Sequence, residues 1–246
     1  MNLIHGAPVP SPNYRPDSDF KAFAYEQVAR IGKAVSSAQR LVLLNILVNG
    51  PHTVEELAEG SELSIANTSR HLQILKQARL VSAMARGNHR IYNVESDAVC
   101  TFFIHLRELA AGHLAELRGA LEAITASPTR ADRVSRTELV AIVAAGDAFI
   151  VDVRPSQEFE LGHLPGAVSI PLEELHHNLA VLPRDKTIIT YCRGPLCLLA
   201  DAAVTLLNRA GFQARRTDQD IPSWERAGLP VERGPDSPNA EPPAGG

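Results

Sequence analysis

Two cysteines bracket the hexapeptide Cys192-Arg193-Gly194-Pro195-Leu196-Cys197, and their placement suits nucleophilic thiol chemistry. The preceding Thr187 to Tyr191 reads as a strand, and an apolar-periodic helix begins at about Leu198. The hexapeptide is therefore a tight turn between a strand end and a helix N-terminus. Such a turn aims backbone N–H groups and the positive end of a helix at one point, which favours an anion there. A thiolate is such an anion. Cys192, first in the turn and beside Arg193, is expected to have a lowered pKa and to act as a nucleophile at neutral pH. A buried strand-end cysteine is the competing reading, but a strand C-terminus followed by Gly-Pro is where α/β proteins place ligands. Pro195 removes one N–H donor from the turn. Cys197 either resolves a sulfur adduct on Cys192 into a disulfide or packs beneath the loop as a small side chain; both readings stand at this stage.

The elements that must position this turn alternate strand and helix. Strands are predicted at Phe149 to Val153, Val168 to Ile170, Thr187 to Tyr191 and Gln213 to Arg216, with helices at Glu173 to Leu182 and Leu198 to Ala210. A capping box, Ser135 and Glu138, opens a further helix before the run LVAIVAA. This alternation implies an α/β domain, a parallel sheet with helices on both faces.

From about Val134 to Val231 the chain resembles the rhodanese family of sulfurtransferases. The carrying residues are VDVRPSQEFELGHLPGAVSIP, the loop YCRGPLC, Ala210-Gly211-Phe212, and Trp224 followed by Ala227-Gly228-Leu229-Pro230. One departure is Gln219-Asp220, where that family usually carries a Gly-Gly pair. The resemblance implies that Cys192 takes a sulfane sulfur as a persulfide, cradled by Arg193 to Cys197, and passes it to a thiol or cyanide. Asp152, Arg154 and His163 would support the loop, or else act as sheet-end ion pairs. A phosphatase on the same fold would need an Arg six residues after the Cys to grip phosphate oxygens, and Leu198 stands there.

The first half is organised differently. Residues 20–98 hold nine Lys/Arg and seven Asp/Glu, whereas 130–246 hold twelve and sixteen. From Leu63 to Val94 there is no acid, but Arg70, Lys76, Arg79, Arg86 and Arg90 are present. Periodicity marks helices at Phe20 to Val35, Ala38 to Val48, Val54 to Glu59 (opened by the Thr53/Glu56 capping box) and Ile65 to about Ala78, capped by Ser64. Val81 to Ala85 and Arg90 to Val94 bracket Arg86-Gly87-Asn88-His89 as a hairpin. Short helix, turn, longer helix and basic hairpin describe a mostly α, winged helix-turn-helix domain.

Over about Phe20 to Ile124 the chain resembles the ArsR/SmtB family of winged-helix repressors, through Thr53-Val54-Glu55-Glu56-Leu57-Ala58, Leu63-Ser64, Asn67 to Leu72, Leu75, Leu80-Val81 and the wing Arg86 to Tyr92. Ser64, Asn67, Thr68, Ser69, Arg70 and His71 fall on the leading turns of the second helix, where outward side chains meet base edges and phosphates of a double-stranded operator. Lys76, Arg86 and Arg90 add phosphate contacts. Asp97 to about Ala126 carries Phe103, Leu106, Ala110, Leu114, Leu117, Leu121 and Ile124 as a coiled-coil-like seam on one long helix, which predicts a homodimer. Many relatives sense metals. Here the Val54 to Glu59 helix has no Cys, and only His105/Glu108 and His113/Glu116 offer i, i+3 pairs, so no metal and no cofactor is expected and a metal-responsive repressor is a minor alternative. Persulfide-sensing relatives use two cysteines in this domain. Only Cys100 is present, which moves any sensing to the second domain.

The 246 residues, 45% apolar and 21% charged, are expected to divide into an N-terminal segment (1–19), the DNA-binding and dimerisation domain (20–126), a linker (127–134), the rhodanese-like domain (135–233) and a tail (234–246), both ends Pro/Gly/Ser-rich and disordered. The longest apolar run, Leu41 to Val48, is too short for a bilayer, and the first residues show no secretory pattern. Three cysteines fit a reducing compartment, so a cytoplasmic location without membrane contact is expected. The expected function is a sulfur-responsive repressor acting on DNA, with a sulfane-sulfur donor and a thiol acceptor as its small partners. The alternative is a sulfurtransferase whose first domain dimerises it or locates it on DNA.

Overall fold

The protein is described by a computed structural model over residues 16–125 and 133–234. Most of the expected linker and of both terminal segments lies outside the described residues.

The first domain comprises α1 (Pro16–Val35), α2 (Ala38–Leu47), β1 (His52–Thr53), α3 (Val54–Ser61), α4 (Ile65–Gln77), β2 (Val81–Arg86), β3 (His89–Val94), α5 (Asp97–His113) and α6 (Ala115–Thr125). Pro16 to Asp19, expected in the N-terminal segment, belong to α1, whose first residue is a proline; that position has no use for an N–H donor. Thr53 and Glu56 close both bonds of their capping box, and the Ser64 hydroxyl accepts from Asn67 N. The three strands run antiparallel in the order β1-β3-β2, Arg86 facing His89 at the hairpin tip. Leu43, Leu44 and Leu47 of α2, Leu57, Leu72, Leu75, Tyr92 and Phe103 form one core, so α4 is held by the helices behind it.

The single long helix expected over 97–126 is two. At Leu114 the backbone turns extended, with φ −90 and ψ 109, and α6 restarts with Arg118 N donating to the Leu114 carbonyl. Gly112 and Gly119 weaken helical propensity on either side, and Leu114 itself is 54% exposed.

The second domain comprises β4 (Arg133–Val134), α7 (Arg136–Ala145), β5 (Ala148–Asp152), α8 (Ser156–Leu161), β6 (Val168–Ser169), β7 (Thr187–Tyr191), α9 (Leu199–Arg209), β8 (Ala214–Thr217) and α10 (Ile221–Arg226). Its strands are all parallel in the order β4-β8-β7-β5-β6. One apolar cluster, with Ile188, Val204 and Leu207, covers one face, and another, with Leu139, Ile189 and Trp224, covers the other. The helix expected over Glu173 to Leu182 is instead a series of turns ending in a 3₁₀ segment, Leu179–Val181. Its bonds run from Glu174 N to Pro171 O and from His177 N to Glu174 O, and His176-His177-Asn178 are weak helix formers. No described helix is long and apolar enough to cross a membrane.

The two domains meet closely. Gly50, at φ +147, lies against the Leu161 side chain, which occupies the space a Cβ would need, so only glycine permits this approach.

Candidate functional site

Cys192 follows β7 directly, and α9 begins at Leu199, so strand and helix hold the loop between them. Gly194 sits at φ +94, a conformation that turns the chain sharply, and Cys197 N returns to the Gly194 carbonyl at 3.1 Å. The Cys192 thiol donates to the Cys197 carbonyl at 3.4 Å. Backbone N–H groups at the start of α9 face the sulfurs, Ala200 toward Cys192 and Leu199 toward Cys197, and Arg216 places positive charge beneath Cys192.

The expected ionisation is redistributed by burial. Cys192 is 1% exposed, and desolvation pushes its thiol well above the usual range despite the N–H groups and Arg216. Cys197 is lowered to about 6, chiefly by the neighbouring Cys192 side chain, which outweighs its own desolvation, with help from the Leu199 and Arg193 backbone and the Arg193 charge. Burial thus opposes the lowered pKa predicted for Cys192. The two thiols titrate as a coupled pair, with burial raising Cys192 and its neighbours lowering Cys197.

Supporting charges are stacked behind the loop. Arg154 grips Asp152 with Nε at 2.9 and 3.1 Å and Nη2 at 2.5 Å, donates to the Gly162 carbonyl at 2.8 Å, and lies over the Tyr191 ring. Burial lowers the Arg154 pKa, but Asp152 outweighs it and raises the net value. Glu158, fully buried, accepts from Arg193 Nε at 3.0 and 3.1 Å and pairs with Arg193 Nη2. Desolvation raises the Glu158 carboxyl, yet His52, Arg193 and Arg154 hold it at about 2. Asp152 and Arg154 thus stand behind Glu158, which holds Arg193. His163 has other partners: it stacks on Phe159, its Nδ1 lies 2.8 Å from the Phe159 carbonyl, and its Nε2 lies 3.7 Å from Glu232. It fixes the end of α8 rather than the loop.

Several of these groups bond the first domain. Arg107 of α5 reaches Asp220 Oδ2 at 2.5 Å, the Arg193 carbonyl at 3.3 Å and Asn45 Oδ1 at 3.3 Å. His52 Nε2 lies 3.6 Å from Glu158, and Arg154 Nη1 donates to Asn49 Oδ1 at 3.4 Å. Arg107, Glu158, Asp220, Asn45, Asn49 and His52 were not among the expected site residues. Two left a trace in the sequence: Asp220 replaces a glycine of the family pattern, and Arg107 puts a charge one helical turn after Phe103, on the inward face of α5.

On α4, Ser64, Asn67 and Arg70 are exposed along with Lys76, and Ser69 and His71 are half-buried. Thr68 is fully buried; it lies four residues before Leu72 and shares its inward face, so it is withdrawn from the groove-facing set. Arg86 and Arg90 are exposed on the hairpin. Phe20, Phe23, Tyr25 and Val28 of α1, with Leu109 and Leu114, form a further group of exposed large apolar residues. His105 lies 2.7 Å from Arg226 Nη1 of the second domain, and Glu108 also reaches Arg226. Among the described residues, no three His, Cys, Asp or Glu side chains converge as a metal cage.

Comparison with known proteins divides the chain in the same way. A bacterial regulatory protein, arsR family, pattern matches residues 37–83, and a rhodanese-like domain pattern matches residues 135–227. The HTH-type transcriptional regulator Rv0324 of Mycobacterium tuberculosis is 38% identical over 217 residues, covering 88% of this chain and 95% of the relative. A sulfurtransferase of Allochromatium vinosum is 26% identical over 85 residues, 35% of this chain and 78% of its own length. Among solved structures, the homodimeric winged helix-turn-helix DNA-binding domain of a possible ArsR-family regulator from Mycobacterium bovis is 33% identical, covers 42% of this chain and 95% of that chain, and superposes with a TM-score of 0.39. With near full-length similarity to one regulator and both domain patterns in the same order, the chain belongs to the family of HTH-type transcriptional regulators that join an ArsR-type helix-turn-helix to a rhodanese-like domain.

Proposed function

We propose that this regulator is a sulfur-responsive, homodimeric repressor whose second domain accepts sulfane sulfur as a persulfide on Cys192. The observation that carries the reading is the geometry of the loop: Cys192 directly follows β7, Cys197 closes the turn two residues before α9, and the Cys192 thiol lies 3.4 Å from the Cys197 carbonyl. Cys197 takes the Cys192 proton as the Cys192 sulfur attacks the outer sulfur of thiosulfate. A new S–S bond forms, the donor's S–S bond breaks, and its electron pair leaves with sulfite. A thiol or cyanide then attacks the outer sulfur, and the pair of the broken S–S bond returns to Cys192. The lowered Cys197 also favours a second outcome: its thiolate attacks the Cys192 persulfide, forming the Cys192–Cys197 disulfide and expelling the outer sulfur as hydrosulfide. The thiols are oxidised and the sulfane sulfur is reduced, so no further oxidant is needed.

On DNA, Asn67 and Arg70 face the major groove with Ser64 and Ser69 at the helix start, and Arg86 and Arg90 lie on phosphates of the flanking backbone. A second copy covers the exposed apolar residues of α1 with Leu109 of α5 and Leu114, where large apolar side chains otherwise stand in water. Arg70→Ala is expected to weaken binding to a specific duplex by about 1–3 kcal/mol. Affinity should also fall steeply with salt as counterions return to the phosphates. Unchanged affinity in titrations of wild type and variant removes Arg70 from the reading set.

The reading as a whole is tested by treating full-length protein with thiosulfate and recording intact mass alongside affinity for a duplex the protein has selected from a random pool. Gain of one sulfur with changed affinity is expected; loss of two hydrogens with changed affinity marks the disulfide outcome. Sulfur gain, with thiocyanate released when cyanide is then added, and unchanged affinity point to the sulfurtransferase instead.

A further inference from the structure

We propose that Arg107 is a latch: a positioning residue, supplied by the DNA-binding domain, through which the Cys192 loop and helix α5 constrain each other. The proposal rests on the sulfur-responsive reading for its biological meaning, but the latch itself is a separate claim about the molecule.

Arg107 is buried, its side chain 5% exposed, and it hydrogen-bonds to residues of three elements. Asn45 belongs to α2, Arg193 to the loop, and Asp220 to the start of α10. A charge removed from water is held where its partners are, because losing one partner leaves the other charge buried and unpaired. Asp220 is itself fixed, since its Oδ1 accepts from Ser223 N at 2.8 Å and caps α10. The loop backbone runs directly beneath this pair. A Cβ on Gly194 would lie 2.8 Å from Arg107 Nη1 and would collide with Asp220 Oδ2, so the glycine is what lets the loop reach the latch.

The same geometry supplies a reason for the latch to move. Cys192 is 1% exposed in a close-packed site. A second sulfur on it extends the side chain by about 2 Å, and the loop must shift to admit it. The peptide next in line is Arg193–Gly194, whose carbonyl meets Arg107 at 3.3 Å. At its other end, α5 places Val99 and Phe103 in the core that also holds Leu72 and Leu75 of α4. A sulfur on Cys192 therefore interacts differently with the latched and unlatched states, which is what a shift in their populations requires. Linkage then makes the effect reciprocal: a duplex that favours one setting of α5 must change sulfur binding by the same factor.

The test uses full-length wild type, Arg107→Lys and Asp220→Asn. Asparagine preserves the α10 cap, so Asp220→Asn keeps the question open should Arg107→Lys fail to fold. Amide hydrogen exchange is followed in peptides covering 192–198 and 97–113, and affinity for the selected duplex is measured before and after thiosulfate. The latch predicts that both peptides exchange faster together, on the order of tenfold, while β5 and β7 remain protected. It also predicts that the affinity change on sulfur loading shrinks toward none. Wild-type exchange in the loop, loosening of only one of the two segments, or an undiminished affinity change in the variants overturns it. If sulfur-loaded wild type shows no affinity change but both segments loosen together in the variants, the sulfur-responsive reading falls and the latch stands.

Discussion

Cys192→Ser is expected to take up no sulfur from thiosulfate and to transfer none to cyanide. Serine preserves the size of the side chain, and its hydroxyl can still donate to the Cys197 carbonyl, so the loop should keep its shape. What is lost is a polarisable sulfur that can give up its proton to Cys197, and a hydroxyl has no comparable nucleophilicity at neutral pH. The partner variant gives a graded result. Wild-type loading should fall as pH drops through about 6, where Cys197 gains its proton. In Cys197→Ser the rise should move into the alkaline range, because Cys192 must then ionise unaided and its burial opposes that. Initial loading rates by intact mass across pH check both. A Cys192→Ser protein that still acquires one sulfur reassigns the nucleophile to Cys197.

Glu158→Gln is expected to destabilise the protein by about 3–5 kcal/mol, the typical cost of breaking a buried ion pair. The carboxylate is fully buried, with His52 of one domain on one side and Arg193 and Arg154 of the other around it. Glutamine leaves the Arg193 guanidinium without its anion, while Arg154 keeps Asp152. The pH dependence carries its own sign. Glu158 falls from an ordinary 4.5 to about 2 on folding, so the unfolded chain binds the proton more tightly. Its contribution is complete above about pH 4.5, declines as pH falls, and is gone below about 2; at about 1.36 kcal/mol per unit this is roughly 3 kcal/mol. Urea unfolding followed by the single, buried Trp224 should show this loss in wild type and a flatter profile in Glu158→Gln. Equal pH profiles would remove Glu158 from the network.

Much of the fold was legible because it is written locally. The 3.6-residue period of α2 and α4, the Thr53 and Ser64 caps, and the turn residues at Gly87-Asn88 each depend on neighbours within a few positions. Errors arose where distant packing decides. Leu114 breaks an apolar seam that reads as continuous, and Thr68 turns inward with Leu72 although its neighbours Asn67 and Arg70 face out. The thiols divide along the same line. The helix N-terminus that favours a thiolate is local and could be read, but the burial that raises the Cys192 thiol comes from the whole domain. Arg107 and Asp220 are 113 residues apart, and no periodicity relates them. Asp220 was visible only as a departure from a glycine pattern, and its reason is a charge on the other domain.

Sulfur at Cys192 is expected to change how the helix-turn-helix binds DNA. Affinity for the selected duplex, with and without thiosulfate, in wild type, Cys100→Ala and Cys192→Ser tests it most directly. Cys100 lies near the start of α5, half-buried against the first-domain core, and burial, with Asp97, raises its thiol above the usual range, so it is a poor nucleophile. A change in affinity in wild type and Cys100→Ala, absent in Cys192→Ser, is the predicted result. A response that disappears in Cys100→Ala and persists in Cys192→Ser would contradict it and place sensing in the first domain.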